Sequence, residues 1–276
     1  MSDLTTGQTA LTDRVAEHYD TLSFFYRELW GNHIHHGYYH TGSETKEEAA
    51  ENLLELLTGQ CGLQSGSRVL DVGCGVGGSC TYLVEKLHCW VVGVTVSAVQ
   101  AQMARRTSLA ARHLANYVVA DACRLPLRGS FDAILALEVL SHLEDRRGFF
   151  EDVTVLLSEG GRIGIAAWLK NGSLNERSKR EIIEPIEAGM LVRLPTAEEY
   201  RGHFQDNGLK MSYYLDISSE VQRTWDLCLD IIKDRALWSM AVRQGREVVN
   251  FLRAFRAMKR GYSTGAFRYS LLVAEK

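Results

Sequence analysis

Apolar residues recur at helical spacing over residues 11–30, at Leu11, Val15, Tyr19, Leu22, Phe25, Tyr26 and Leu29, and predict an amphipathic helix. A loop rich in aromatic residues and histidine follows, WGNHIHHGYYH. Thr45, with Glu48 three residues on, forms a capping box and opens a second helix, TKEEAAENLLELL. From residue 68 the pattern changes to short apolar runs separated by helical stretches. It predicts strands at 68–72, 90–94, 117–120, 132–137 and 161–168, and helices at 79–88, 97–113 and 145–157. Such alternation implies a mostly parallel sheet covered by helices on both faces, an α/β fold. After Trp168 the pattern gives helices over 174–190 and 196–207, a strand over 210–217, a largely helical stretch to 259 and a last strand over 267–274. The roughly 45 residues between the last two strands exceed an ordinary connection and predict a lid over the carboxyl edge of the sheet.

Composition narrows the function. With a net charge of −3 and no basic cluster beyond short pairs, a nucleic-acid partner is not expected. No apolar run approaches a membrane span, and the N-terminus lacks an apolar signal core, so a cytoplasmic location is expected. The six cysteines show no CxxC pair and no metal-ligand spacing, which fits reduced, mostly core thiols. His33, His35, His36 and His40 crowd one loop, but no carboxylate or cysteine joins them at ligand spacing, so no metal is expected.

The first strand runs into LDVGCGVGGSC. Gly73, Gly75 and Gly78 match a dinucleotide fingerprint by letter, yet Asp71 precedes the first glycine and Thr95, not an acid, ends the second strand. No Gly-Lys-Ser/Thr follows, which excludes a P-loop. D-x-G-x-G-x-G after a first strand instead resembles the class I S-adenosylmethionine (SAM)-dependent methyltransferases, from residue 65 to 168. The resemblance implies a Rossmann-like, seven-stranded, mostly parallel sheet with SAM as cofactor and S-adenosylhomocysteine (SAH) as product or structural ligand. Asp71 would anchor the amino-acid end, and Gly73, Gly75 and Gly77 would admit it close to backbone. Asp121 and Ala122 would take the adenine, Leu137 and Glu138 would lie beside the cofactor, and Thr95, Ser97 and Gln100 match the GxTxSxxQ pattern of one subgroup.

ELWGNHIHHGYYH resembles the N-terminal cap of tocopherol/sterol methyltransferase-like proteins and of natural-product O-methyltransferases of the rebeccamycin and rifamycin type. This implies three parts of one continuous domain: a helical cap over 1–64, the cofactor core over 65–168, and 169–276 with the remaining strands and a lid at about 218–263. In the O-methyltransferases a His pair and an Asp serve as base. Here those positions hold Ser141-His142 and Ala167, so His142 is the nearest titratable candidate, with His35 and His36 as substitutes from the cap. The depleted base leaves two functions open. One is methyl transfer to a bulky hydrophobic natural product such as a polyketide. The other is a cyclisation of the kind run by the spinosyn-type, methyltransferase-like cyclases, with SAM or SAH as scaffold and Ser141, Thr196 and Tyr38 as hydroxyl donors. Trp30, His35, Tyr38, Tyr39, Trp168, Trp225 and Trp238 are expected around the substrate, with Leu237 and Met240 among the apolar lid positions. The expected assembly is a monomer or homodimer.

Overall fold

The computed structural model describes residues 3–107, 114–233, 238–239, 242–243 and 246–276. Residues 108–113 of the expected fourth helix, together with Leu237 and Met240, lie outside the described residues, as do the side chains of Phe25, Leu29 and Ile231.

Seven strands form one sheet: β1 (Arg68–Val72), β2 (Trp90–Thr95), β3 (Ala115–Val119), β4 (Phe131–Leu137), β5 (Leu157–Lys170), β6 (Lys210–Asp216) and β7 (Phe267–Glu275). Their order is β3-β2-β1-β4-β5-β7-β6. All neighbours pair in parallel except β7, which runs antiparallel to both β5 and β6. The inner strands are buried on both faces: β4 places Ala133, Ile134, Leu135 and Ala136 at 0% exposure, so it reads as a continuous apolar run. Strand order reverses between β1 and β4, and such a switch point opens a crevice at the carboxyl ends of the strands.

Helices cover both faces. α1 (Asp3–Trp30), α2 (Lys46–Cys61), α3 (Gly78–Glu85), α4 (Ala98–Thr107) and α5 (Arg146–Leu156) precede or interleave the parallel strands. α6 (Glu176–Ser178), α7 (Glu184–Met190), α8 (Ala197–Asp206), α9 (Ser218–Val221), α10 (Arg223–Ile231) and α11 (Arg246–Thr264) follow. The capping box expected at Thr45 is present, with Glu48 donating its backbone N–H to the Thr45 hydroxyl and returning its carboxylate.

Two expected elements differ. The helix over 174–190 is split, because Lys179–Ile183 forms a π turn between α6 and α7. Pro185 stands in the first turn of α7, and its missing N–H and its ring are accommodated by the wider turn. Residues 158–160, expected to connect the helix over 145–157 to the strand over 161–168, lie inside β5. There the pairing with β4 jumps from Phe131↔Leu157 to Ala133↔Arg162, and Gly160 takes φ +73° to absorb the extra residues.

Candidate active site

The crevice begins where β1 turns into α3. Gly73 has φ +73°, and a Cβ there would lie 2.0 Å from Val139 Cγ2, so no other residue fits. Gly75 has φ +53°, but a Cβ on it would meet nothing within 4 Å, so its backbone faces open space. Below the turn Asp71 is buried and accepts hydrogen bonds from Ser79 Oγ and, at 3.2 Å, from Cys80 Sγ. Burial raises its pKa to about 6, against the pull of those two bonds. Asp71, Gly73, Gly75 and Ser79 line a recess with Asn32 and His33, and this recess shares Ile34, His35 and Leu137 with a much larger cavity.

The large cavity encloses about 1190 Å³ out to its open mouth. Its lining divides into two parts of different chemistry. One half is lined by Gly73, Gly75, Thr95, Gln100, Asp121, Ala122 and Leu137. Thr95 Oγ1 donates to Gln100 Oε1 at 2.8 Å. Asp121 accepts the Cys123 amide at 2.9 Å and the Thr12 hydroxyl of α1 at 3.2 Å. The other half is aromatic: Tyr19, Tyr26 and Trp30 of α1, Trp168 of β5, Trp225 of α10, and Phe251 and Phe255 of α11. Asp121 and Glu138 bring carboxylates to the wall, and no Lys or Arg is among the described lining residues.

Two polar networks shape this half. Glu138, the residue after β4, takes φ +58°, an uncommon conformation for a residue with a side chain. Its Oε1 accepts the His36 amide at 2.7 Å, His36 Nδ1 at 2.9 Å and Tyr269 Oη at 2.8 Å. Burial alone would raise the Glu138 pKa, but His36 and its bonds outweigh it and hold the carboxyl below its ordinary value. Indole N–H groups approach both ring nitrogens of His36, Trp225 Nε1 at 2.6 Å from Nε2 and Trp168 Nε1 at 3.3 Å from Nδ1, but the Glu138 carboxylate, which only accepts, lies closer to Nδ1, at 2.9 Å. We therefore assign the His36 proton to Nδ1, where it serves Glu138. In the second network His142 Nδ1 lies 3.0 Å from the Leu191 carbonyl, and Nε2 lies 3.2 Å from Tyr19 Oη. A carbonyl only accepts, so Nδ1 carries the proton and Tyr19 donates to Nε2. Burial lowers the His142 pKa to about 4, opposed by the Leu191 bond and by Glu138.

Of the expected substrate residues, Trp30, His35, Trp168 and Trp225 line the cavity, and Tyr38, Tyr39 and Trp238 do not. Tyr38 pairs its backbone N–H with the Ala49 carbonyl of α2 and sets its ring against His40. Tyr39 is buried away from the cavity, beneath the Arg223 guanidinium at 5.9 Å. Trp238 Nε1 is held by the Ile232 carbonyl at 2.7 Å.

Thr196 also lies outside the cavity. It caps α8, with its hydroxyl accepting the Glu199 amide at 3.2 Å, which employs it structurally. Ser141 is buried behind the wall, and its Oγ has no partner among the described residues. Gly77, with φ +87°, is a packing glycine: a Cβ there would come within 2.9 Å of Ala104 Cβ. Ser97 points at α1, where its hydroxyl bonds Asp20, and it caps α4 by accepting the Gln100 amide at 3.0 Å. Ala167 is buried within β5, opposite Ser270 of β7.

The sequence did not single out Thr12, Asp20, Tyr269 or Tyr262, whose hydroxyl lies 3.1 Å from His36 Nε2, and treated Tyr19 as helix packing. The one signal was Glu138 itself, a carboxylate ending an apolar strand, which needs buried partners.

The chain matches the family described as mycolic acid cyclopropane synthetase over residues 7–267. It is 30% identical to 27-O-demethylrifamycin SV methyltransferase of Amycolatopsis mediterranei (strain S699), covering 96% of this chain and 97% of that protein. It is 28% identical to the chloroplastic tocopherol O-methyltransferase of Arabidopsis thaliana, covering 98% of this chain and 84% of that protein. The fold is also that of the [4+2]-cyclase SpnF, with a TM-score of 0.83, 23% identity and 96% of each chain covered. A glycine turn at the switch point, a carboxylate beneath it and a two-part cavity beside it accord with these matches. The chain belongs to the mycolic acid cyclopropane synthetase family, enzymes of the class I methyltransferase fold that use S-adenosylmethionine.

Proposed function

We propose that the protein transfers a methyl group from SAM to a bulky, mostly apolar natural product of polyketide-like character. The observation that carries this reading is the aromatic half-cavity facing the glycine turn, formed by α1, β5, α10 and α11. The names of the two relatives, which act on tocopherol and on 27-O-demethylrifamycin SV, support the same class of acceptor.

The other half fits the cofactor. The open backbone at Gly75 and the buried Asp71 suit its amino-acid end, and Asp121 with the neighbouring Ala122 suits its adenine. Two carboxylates on a wall without a described Lys or Arg suit a cation. In this reading Asp71, Gly73, Gly75, Thr95, Gln100, Asp121, Ala122 and Leu137 hold SAM, which when bound supplies an electrophilic methyl group on its sulfonium.

The protein's own contribution is to orient the acceptor and exclude water, since proximity carries most of the rate in such a displacement. The aromatic wall does both. His142 lines the same cavity and offers Nε2 as a proton acceptor, covered by the Tyr19 hydroxyl. With a pKa near 4 it is a weak base at neutral pH. This favours an acceptor that needs little help: an acidic phenol, a nitrogen or a carbon nucleophile.

The same weak base favours a second reading, a cyclisation in which the cofactor is scaffold. Tyr26 would then be the wall hydroxyl able to bond a developing charge, since Tyr19 already gives its proton to His142. One experiment separates the two. The protein is incubated with methyl-labelled SAM and an organic extract of a strain lacking its gene. Label in one new product supports methyl transfer. Conversion of one metabolite to an unlabelled isomer of equal mass supports cyclisation.

A further inference from the structure

The two carboxylate oxygens of Glu138 have different surroundings. Oε1 is filled by three donors, the His36 amide, His36 Nδ1 and the Tyr269 hydroxyl. Oε2 has no hydrogen-bond partner among the described residues, yet it is not sealed and keeps accessible surface. The side chain is 9% exposed, and Glu138 lines the large cavity but not the recess lined by Asp71. Oε2 therefore opens into the large cavity.

Burial opposes ionisation of Glu138, but His36 and its bonds hold the carboxyl below its ordinary pKa. No cation among the described residues balances that charge. His36 is neutral, because its Nε2 takes the Trp225 N–H. Burial lowers the pKa of His35 and of His142, so both rings are neutral at neutral pH. No Lys or Arg is among the described lining residues. A buried charge without a partner is costly, and an open oxygen on it points to a cation from outside the chain.

The position of the carboxylate says which cation. His36, bonded to Oε1, packs edge-on against Trp168 and Trp225, with ring centroids 5.8 and 5.3 Å apart. Both indoles belong to the aromatic half, with Tyr19, Trp30 and Phe255. After burial, the Glu138 charge is the next cause that raises the Tyr19 pKa, so its field reaches across that half. Asp121, the other wall carboxylate, stands in the glycine-turn half with Thr95 and Gln100. A carboxylate oxygen among aromatic rings attracts an ammonium group twice, by a charge-assisted hydrogen bond and by the negative ring faces.

We propose that the aromatic half takes an acceptor bearing a basic amine, whose ammonium group donates to Glu138 Oε2, and that it rejects anionic acceptors. The proposal rests on the reading that this half holds the acceptor. It narrows that acceptor from an apolar molecule to an apolar amine, and makes Glu138 a specificity residue.

The test uses three probes of one shape: naphthylethylamine, naphthylethanol and naphthylacetate. Each is titrated calorimetrically at neutral pH into the full chain saturated with SAH. The amine is expected to bind about 10- to 100-fold tighter than the alcohol, the range of a hydrogen bond to a charged group, and the acid more weakly than the alcohol. Glu138→Gln keeps an oxygen for the three donors and loses the charge. It should weaken the amine by that factor and leave the alcohol unchanged. Glu138→Asp, which keeps the charge, should retain part of the preference, and it guards against a folding defect in the first variant. Equal binding of amine and alcohol by wild type, an acid bound as tightly as the alcohol, or equal weakening of amine and alcohol by Glu138→Gln overturns the proposal. So does a Glu138→Gln chain that loses affinity for SAM but not for SAH or the amine, which would give the carboxylate to the sulfonium instead. If wild type binds SAH but none of the three probes, the acceptor reading of the aromatic half fails, and this proposal fails with it.

Discussion

Tyr19 and His142 stand 123 positions apart in the chain and meet across the cavity. Because Tyr19 donates to Nε2, it stabilises the neutral imidazole and adds to the burial that lowers the His142 pKa. Tyr19→Phe should therefore raise that pKa and destabilise the fold by about 1 kcal/mol, the worth of one hydrogen bond. Ring-proton NMR titration reads the shift, and an unchanged midpoint would contradict the pairing. Asp71 gives a second prediction at this scale. With its pKa near 6 before any cation arrives, the carboxyl must ionise to hold an ammonium group. SAH affinity should be level above pH 6 and fall by about tenfold per unit below it, since binding then releases a proton. Protonation of His33 and His35, both of lowered pKa, would act in the same direction at lower pH. Calorimetry from pH 5 to 8 checks this, and a flat profile would remove Asp71 from the ammonium site.

At the scale of elements, the Thr196 capping box makes a clear prediction. Thr196→Ala should cost α8 about 1 kcal/mol, seen as a Tm lower by about 2–4 °C, with SAH binding unchanged. A loss of binding at unchanged Tm would return Thr196 to the site. The elements themselves were largely legible, because buried parallel strands such as β4 are continuous apolar runs between helices. What periodicity could not show was the effect of single residues on a regular pattern. Pro185 converts an expected helix into two helices joined by a π turn, and Gly160 lets β5 absorb the expected connection as a bulge. Ser97 reads as part of a cofactor pattern by spacing, but Asp20 on α1 claims its hydroxyl. That contact belongs to two elements distant in sequence, and no local pattern encodes it.

For the whole molecule, the switch point between β1 and β4 places the glycine turn, Asp71 and Leu137 at one edge of the sheet. α1, α10 and α11 close an aromatic chamber over that edge. The glycine-turn half of the cavity, proposed to hold the cofactor, could be placed from the sequence because its residues are short-range motifs at strand ends. The aromatic half, proposed to take the acceptor, shows in the sequence only as an excess of Trp and Phe, since its wall is assembled from both ends of the chain. The central claim is that this chamber presents an apolar acceptor to a methyl donor. The most direct measurement is the ratio of SAH formed to acceptor consumed, by mass spectrometry, once one converted metabolite is in hand. Methyl transfer predicts one SAH per product, and a product heavier by one methylene. Complete conversion with no SAH formed, and a product of unchanged mass, would contradict it.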